Sequence, residues 1–359
     1  MPERYGQNKE IKMTVQQYST VASRNLIRAE MKMLKHAEPI QVLGKFGSQK
    51  EQPLRKTDTI VFRRLKPFNA TAAEVPNITA ANFVTAEGVT PTANTISYTD
   101  VSVTLNQYAV LFKFTSKAEL MYEDDIPDDM ATLTGETLAE VAELVAYGQV
   151  KAGTSVIYAN GDTRVGVNTP ISLAKLRQSA RTLESNRAKR VTSAVKPGPD
   201  FGTSSVEPAY LVFHHTDVTS DIRDLAGFTK IVDYGSAIKP VHPREIGACE
   251  EFRFIPSSLF APYLAGGAAV GVSGMLAADT ATIDVYPMIV TAQDAWGHVS
   301  LKGKGYSGIS PTIIPSSQKN HANPSGMFGY VGADFWYNSV RLNENWMTRV
   351  EVAVTDLDT

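Results

Sequence analysis

Two β-prone segments, Asp58 to Leu65 and Val101 to Thr115, are rich in Ile, Val and Phe, and the stretch 66–100 between them is crowded with Ala, Thr, Asn, Pro and Gly. This pattern predicts a long β-hairpin with an elaborate tip. In the second segment Val101, Val103 and Leu105 share one parity, whereas Val110, Phe112 and Phe114 fall on the other. A bulge or bend near Asn106-Gln107 reconciles the two registers. A two-stranded ribbon of this length is marginal in water by itself, so the pattern demands a partner surface.

The rest of the chain limits what that partner can be. At 359 residues the chain exceeds the usual size of one core, which predicts two packed subdomains with extended arms. Hydrophobic residues at 43% and charged residues at 20% argue against global disorder. No apolar run reaches the length of a membrane span, and Met1-Pro2-Glu3-Arg4 is polar, without the apolar core of a signal peptide. The reading is of a protein made and used in a cytoplasm, without a membrane. The single cysteine, Cys249, excludes an intramolecular disulfide framework.

Charge is segregated along the chain. Residues 1–50 carry nine Lys/Arg against four Asp/Glu, whereas Glu119 to Glu143 holds nine acids and no Lys or Arg. Such separation suits complementary contacts between subunits; the alternative is two ordinary solvated faces.

Along the chain, Thr14 to Leu43 reads as a polar lead followed by a helix in which Ile27, Met31 and Leu34 share a narrow apolar stripe. Lys45 to Asp58, with Pro53, reads as an extended connection. Pro127, followed by Asp128 and Asp129, opens a long central helix whose apolar face is Leu138, Val141, Ala142 and Val145. Thr137 and Glu140 stand at capping-box spacing, so a start or restart there is the alternative. From about Pro170 the chain alternates helix and strand. Ser172 is placed to cap a helix with Leu173, Leu176, Ala180 and Leu183 on one side, and Tyr210 to Phe213 reads as a buried strand. A helix with Val218, Ile222 and Leu225 on one face follows it, then a strand Thr282 to Thr291 interrupted by Pro287. A loop from Lys302 to Ser325 precedes the closing segments Gly329 to Asn338 and Thr348 to Val354.

Catalytic patterns fail on chemistry. Adjacent His214 and His215 on a strand point to opposite faces, poor geometry for one metal ion. Glu123-Asp124-Asp125 with Asp128-Asp129 lacks the spacing of a calcium loop, and the glycine-rich run Ala265 to Gly274 is not followed by Gly-Lys-Ser/Thr. Glu250 and Glu251 beside Cys249 raise its pKa rather than activate it. No cofactor, no metal and no catalytic residue is expected.

The segments Pro53 to Leu65, Glu87-Gly-Val-Thr-Pro91 and Val103-Thr-Leu-Asn-Gln-Tyr108 resemble the front half of the N4-like phage major capsid family, and Gly332 to Trp346 with Arg349-Val-Glu351 resembles its C-terminal block. The resemblance implies an α+β, Hong Kong 97-like phage capsid fold. Its implied parts are an N-terminal arm (1–53), an extended β-hairpin loop and its base (54–115), a peripheral domain with a long spine helix (116–169), an axial domain (170–325) and a C-terminal return to the peripheral domain (326–359). It also implies a head-shell protein assembling with copies of itself in pentamers and hexamers around double-stranded DNA. Portal and scaffolding proteins, and a decoration protein, are the further partners of such a shell, and contact with DNA is nonspecific at most. The remaining alternatives are a cytosolic enzyme with an unrecognised site and the shell of a cellular nanocompartment. Within the capsid reading, the hairpin-base cations Arg55, Lys56, Arg63, Arg64 and Lys66 seek acids on an adjacent subunit, with Glu119, Glu123, Asp124, Asp125, Asp128 and Asp129 as candidates; otherwise these cations are simply solvated.

Overall fold

A computed structural model describes residues 42–357 apart from 72–74, 92, 123–124, 192–207, 234–239, 272–273, 280, 303–311, 320 and 322. The expected arm helix with Ile27, Met31 and Leu34 lies outside the described residues, as do Glu123 and Asp124. In chain order the strands are β1 (Ser48–Gln52), β2 (Thr59–Leu65), β3 (Tyr98–Thr104), β4 (Asn106–Thr115), β5 (Val156–Tyr158), β6 (Tyr210–His214) and β7 (Thr229–Lys230). They continue as β8 (Gly247–Cys249), β9 (Phe252–Pro256), β10 (Tyr286–Thr291), β11 (Trp296–Leu301), β12 (Thr312–Ile314), β13 (Phe328–Arg341) and β14 (Met347–Val352). The α-helices are α1 (Ser116–Met121), α2 (Ile126–Lys151), α3 (Leu173–Ser185) and α4 (Thr219–Arg223). Two compact units divide them: a larger one built from Pro39–Asn106, Glu140–Lys302 and Tyr337–Thr359, and a smaller one that includes Gln107–Ala139 and Gly303–Trp336.

The larger unit is organised by a seven-stranded mixed sheet in the order β5-β14-β10-β6-β9-β8-β7. Side chains alternate across a strand, so each central strand feeds two cores. Tyr210 and Val212 of β6 pack with Leu176, Ala180 and Leu183 of α3 and with Val218 and Ile222. Their neighbours Leu211 and Phe213 pack on the other face with Ala146, Tyr147 and Val150 of α2. Because both faces are covered, β6, β9 and β10 are buried along their whole length, and Arg253 of β9 is paired with the buried Glu245 at 3.1 Å. Pro287 is tolerated inside β10 because β6 pairs only from Ile289 to Thr291, beyond the proline. β14 fixes the end of α2 through the buried Glu351 carboxylate. Arg164 makes two hydrogen bonds to it, at 2.7 and 2.8 Å, and Arg349 a third at 2.7 Å. The Arg349 guanidinium also donates to the carbonyls of Lys151 and Gly153, satisfying acceptors that the helix end leaves open.

A smaller set of strands completes this unit. β1 runs parallel to β11, and Trp296–Ser300 of β11 pair antiparallel with Tyr337–Arg341 of β13. The expected extended connection Lys45 to Asp58 thus contains a strand, because its polar residues pair at an edge where burial is not required. In the smaller unit β12 pairs with Tyr330–Gly332 of β13, and Phe114, Ala118, Ile126 and Val331 form the core. Gly329 is obligatory there: a Cβ would stand 2.2 Å from the Phe114 ring and 2.8 Å from the Ile314 carbonyl oxygen.

Three sequence expectations need correction in detail. The central helix starts at Ile126, with Pro127 in its first turn and the Asp125 carboxylate accepting from the Asp128 N–H at 3.3 Å. It does not restart at Thr137, whose hydroxyl donates back to the Leu133 carbonyl at 2.8 Å instead of capping. The buried stripe is Leu138, Ala142, Ala146 and Val150, while Val141 and Val145 are only half-buried. The α3 helix has the predicted apolar face, although Ser172 at its N-cap makes no side-chain cap.

Replacing Glu351 by Ala leaves Arg349, 10% exposed, with its charge uncompensated. The expected loss is about 3–5 kcal/mol, read as a lower urea midpoint at unchanged slope.

Candidate functional site

The β2–β3 hairpin is the feature for which the sequence demanded a partner. Its antiparallel register runs from Thr59 opposite Thr104 to Leu65 opposite Tyr98. The second strand begins at Tyr98 rather than Val101, which brings Asp100 opposite Arg63. The chain breaks at Leu105, whose N–H donates to the Asp58 carbonyl at 2.9 Å, and β4 begins at Asn106 with β13 as its partner. The parity conflict in the sequence therefore marks a change of strand partner at the expected bend.

The base of the hairpin has an inner and an outer face. On the inner face Phe62, Val103 and Leu105 are buried, the Lys50 ammonium lies 4.2 Å over the Phe62 ring, and the Arg64 guanidinium sits 5.6 Å from the Trp346 ring. Asn338 donates to the Thr104 carbonyl at 2.6 Å. The outer face carries Val61, Arg63, Leu65, Tyr98 and Asp100, all exposed. Arg63 grips Asp100 through two hydrogen bonds of 2.8 Å, and this holds the Asp100 carboxyl below the usual carboxylate range.

Beyond Leu65 and Tyr98 the described residues provide almost no cover. A Lys66 N–H to Ser97 carbonyl bond at 2.9 Å closes the ribbon, and the Phe68 and Phe83 rings meet edge-on at 5.9 Å. Nevertheless Val84 is 82% exposed, Ile96 72%, Val89 59% and Phe83 52%. With Leu65 and Phe68 these residues line a cleft of about 1260 Å³ at the hairpin tip. Large apolar side chains gathered on one exposed surface mark an interaction site more often than a solvated loop does.

The other expected contact residues are dispersed. Arg55 and Lys56 are exposed in the turn between β1 and β2, where Arg55 takes a left-handed φ of 61°, and Lys66 is exposed at the start of the tip. Among the acids, Glu119 of α1 accepts the Ser316 N–H at 3.2 Å, Asp125 caps α2, Asp128 is exposed and Asp129 half-buried. The last acid of that stretch, Glu143, faces inward and is buried. Sequence reading missed two residues. Asp100 is found only by pairing the strands, which sets it opposite Arg63; Glu143 leaves no signal, because an acid in an amphipathic helix is assigned to its wet face.

Elsewhere, the histidine pair and the cysteine lie as their residue types suggest. His214 is fully buried while the His215 ring contacts Asp217 at 3.0 Å, so the adjacent imidazoles point apart. Burial pushes the Cys249 thiol up, and Glu250 adds to the shift. Among the described residues no group of three or more His, Cys, Asp or Glu is placed to hold a metal ion, and no helix is long and apolar enough to cross a membrane.

Asp100→Asn, which frees Arg63, is expected to leave the urea midpoint of the chain unchanged, because the pair lies in full solvent. A clear drop would show that the pair holds the hairpin together.

By sequence, no protein-family model and no curated protein matches the chain. By structure, the capsid of Ralstonia phage GP4 matches at 10% identity with a TM-score of 0.63, over 95% of this chain and 100% of that one. The capsid asymmetric unit of cyanophage Pam1 matches at 11% identity with a TM-score of 0.56, over 94% and 99% of the two chains. The holo-SrpI encapsulin complex from Synechococcus elongatus matches at 10% identity with a TM-score of 0.53, over 91% and 93%. At these identities the likeness is one of fold: the chain has the mixed α+β architecture, with multiple β-sheets, of the Hong Kong 97-like phage capsid structures.

Proposed function

We propose that the chain is the major capsid protein of a tailed bacteriophage, in the N4-like family, and that it assembles as pentamers and hexamers into an icosahedral head shell around double-stranded DNA. One observation supports this reading: the hairpin tip exposes an apolar surface that the described residues of its own chain leave uncovered, on a fold shared with phage capsids. Obligate interfaces bury on the order of 2,000–5,000 Å² or more, and a projecting ribbon reaches such areas without enlarging the core. In this reading 1–53 is the arm, 54–115 the extended loop, α2 the spine helix of the 116–169 peripheral domain, 170–325 the axial domain and 326–359 the return. Arg55, Lys56 and Lys66 face acids of a neighbour; Arg63 takes part only by giving up or sharing Asp100, and Arg64 only by leaving the inner face beside Trp346. Portal and scaffolding proteins are the further partners, the location is the virion, and the protein performs no catalysis.

The likeness to an encapsulin supports a second reading, the shell of a cellular nanocompartment. Electron microscopy of the purified chain, alone or with scaffolding protein, tests both: closed shells are expected, and a persistent small oligomer active on a substrate contradicts them. Recruitment of an enzyme cargo in place of DNA selects the second. Phe83→Ser combined with Val84→Ser is expected to abolish closed shells while leaving the melting temperature of the free chain unchanged. Normal particles from that variant would contradict an assembly role for the tip.

A further inference from the structure

The turn from Val42 to Gly47, through which the chain enters β1, is held on both of its polar sides by buried ionisable groups. From α2, the Glu143 carboxylate accepts the N–H of Leu43 at 2.7 Å and of Gly44 at 3.2 Å, with the Val42 N–H as a further donor. From β11, His298 Nε2 lies 3.2 Å from the Leu43 carbonyl oxygen and 2.9 Å from that of Phe46. The Tyr337 hydroxyl stands 2.6 Å from the other ring nitrogen. The Trp296 indole N–H also points at Nε2, at 3.0 Å, but two carbonyl acceptors outweigh one donor and place the proton on Nε2. Val42 and Leu43 are fully buried, Glu143 is 1% exposed and His298 5%. Gly47 has a φ of +86° and no room for a side chain, since a Cβ would stand 2.8 Å from the Trp296 indole. The charged and titratable groups around this clamp are Arg244, whose charge favours ionised Glu143, His242, whose ring lies 6.0 Å from Phe46, and Tyr147 and Tyr337.

We propose that Glu143 and His298 act as one pH-compensated clamp on the turn Val42–Gly47, holding its donors and its acceptors with groups whose opposite charge changes cancel. Opening the turn hydrates both side chains. Burial pushes Glu143 from 4.5 up to about 7, so its hold is full below 4.5 and is lost as pH rises through about 7. Burial pushes His298 from 6.5 down to about 4, so its hold is full above 6.5 and is lost as pH falls through about 4. Over the shared window one proton released is matched by one proton taken up. The turn therefore keeps its grip across mildly acidic to neutral solution, and removing either partner makes that grip pH-dependent in a predetermined direction. The inference concerns the fold of one chain and does not depend on the shell reading.

Hydrogen–deuterium exchange of the full chain, followed on peptides covering 42–47 with β10 as internal reference, tests this between about pH 4.5 and 7.5. Wild-type protection of the turn is expected to stay level relative to β10. In Glu143→Gln it falls as pH drops below 6.5, and in His298→Gln it falls as pH rises above 4.5, each approaching about tenfold per pH unit for one proton. A steep wild-type profile overturns the proposal, as do variants that both stay level or move in the same direction. Where circular dichroism shows one variant unfolded, the slope of the other decides; with both unfolded, the wild-type profile decides.

Discussion

A two-stranded ribbon has two faces and a free tip, and the described residues of this chain cover only one face at the base. That deficit is the constraint from which the functional reading follows. Phe62, Val103 and Leu105 secure the base to the larger unit, whereas Phe83, Val84, Val89 and Ile96 remain in water. Ordering such a segment costs about 1–2 kcal/mol per residue of backbone entropy, and burial of the tip by another molecule returns part of it, about 1.5–3 kcal/mol for each large apolar side chain covered.

The larger unit is a firm base for the ribbon because its sheet is buried on both sides. Alternation along β6 sends Tyr210 and Val212 to one core and Leu211 and Phe213 to the other, so α3 and the end of α2 are held through the same strands. Buried ionisable groups finish what packing begins. Glu351 gathers Arg164 and Arg349 at the end of α2, and Glu143 and His298 hold the turn that leads into β1. A buried ion pair such as that of Glu351 with Arg349 is costly to strip of water, and removing one partner leaves the other unpaired.

Much of the fold was legible because period and punctuation are local properties. The alternation from Val101 to Leu105, the break near Asn106, the α3 face and the buried strand from Tyr210 all follow from residue order. The misses have physical causes. Asp is disfavoured in strands, so Asp100 lay outside the expected one; its acceptability comes from Arg63 on the facing strand. The α2 stripe was drawn through Val141 and Val145 beside Leu138 and Ala142, whereas the residues buried along with the latter two are Ala146 and Val150. Strands of two or three residues such as β5, β7, β8 and β12 are defined by the neighbour they pair with and leave no signal of their own. For the candidate site, the hairpin and its exposed tip were legible, but the cationic base was only partly so, since Arg63 is already engaged within its own ribbon.

The central claim, that a second molecule covers the hairpin tip, is tested most directly by thiol labelling. Cys249 is buried and is the chain's only cysteine, so Val84→Cys supplies a single accessible thiol. Rapid maleimide labelling in the free chain and loss of labelling in assembled particles is the predicted result. Equal labelling in both states would contradict the account.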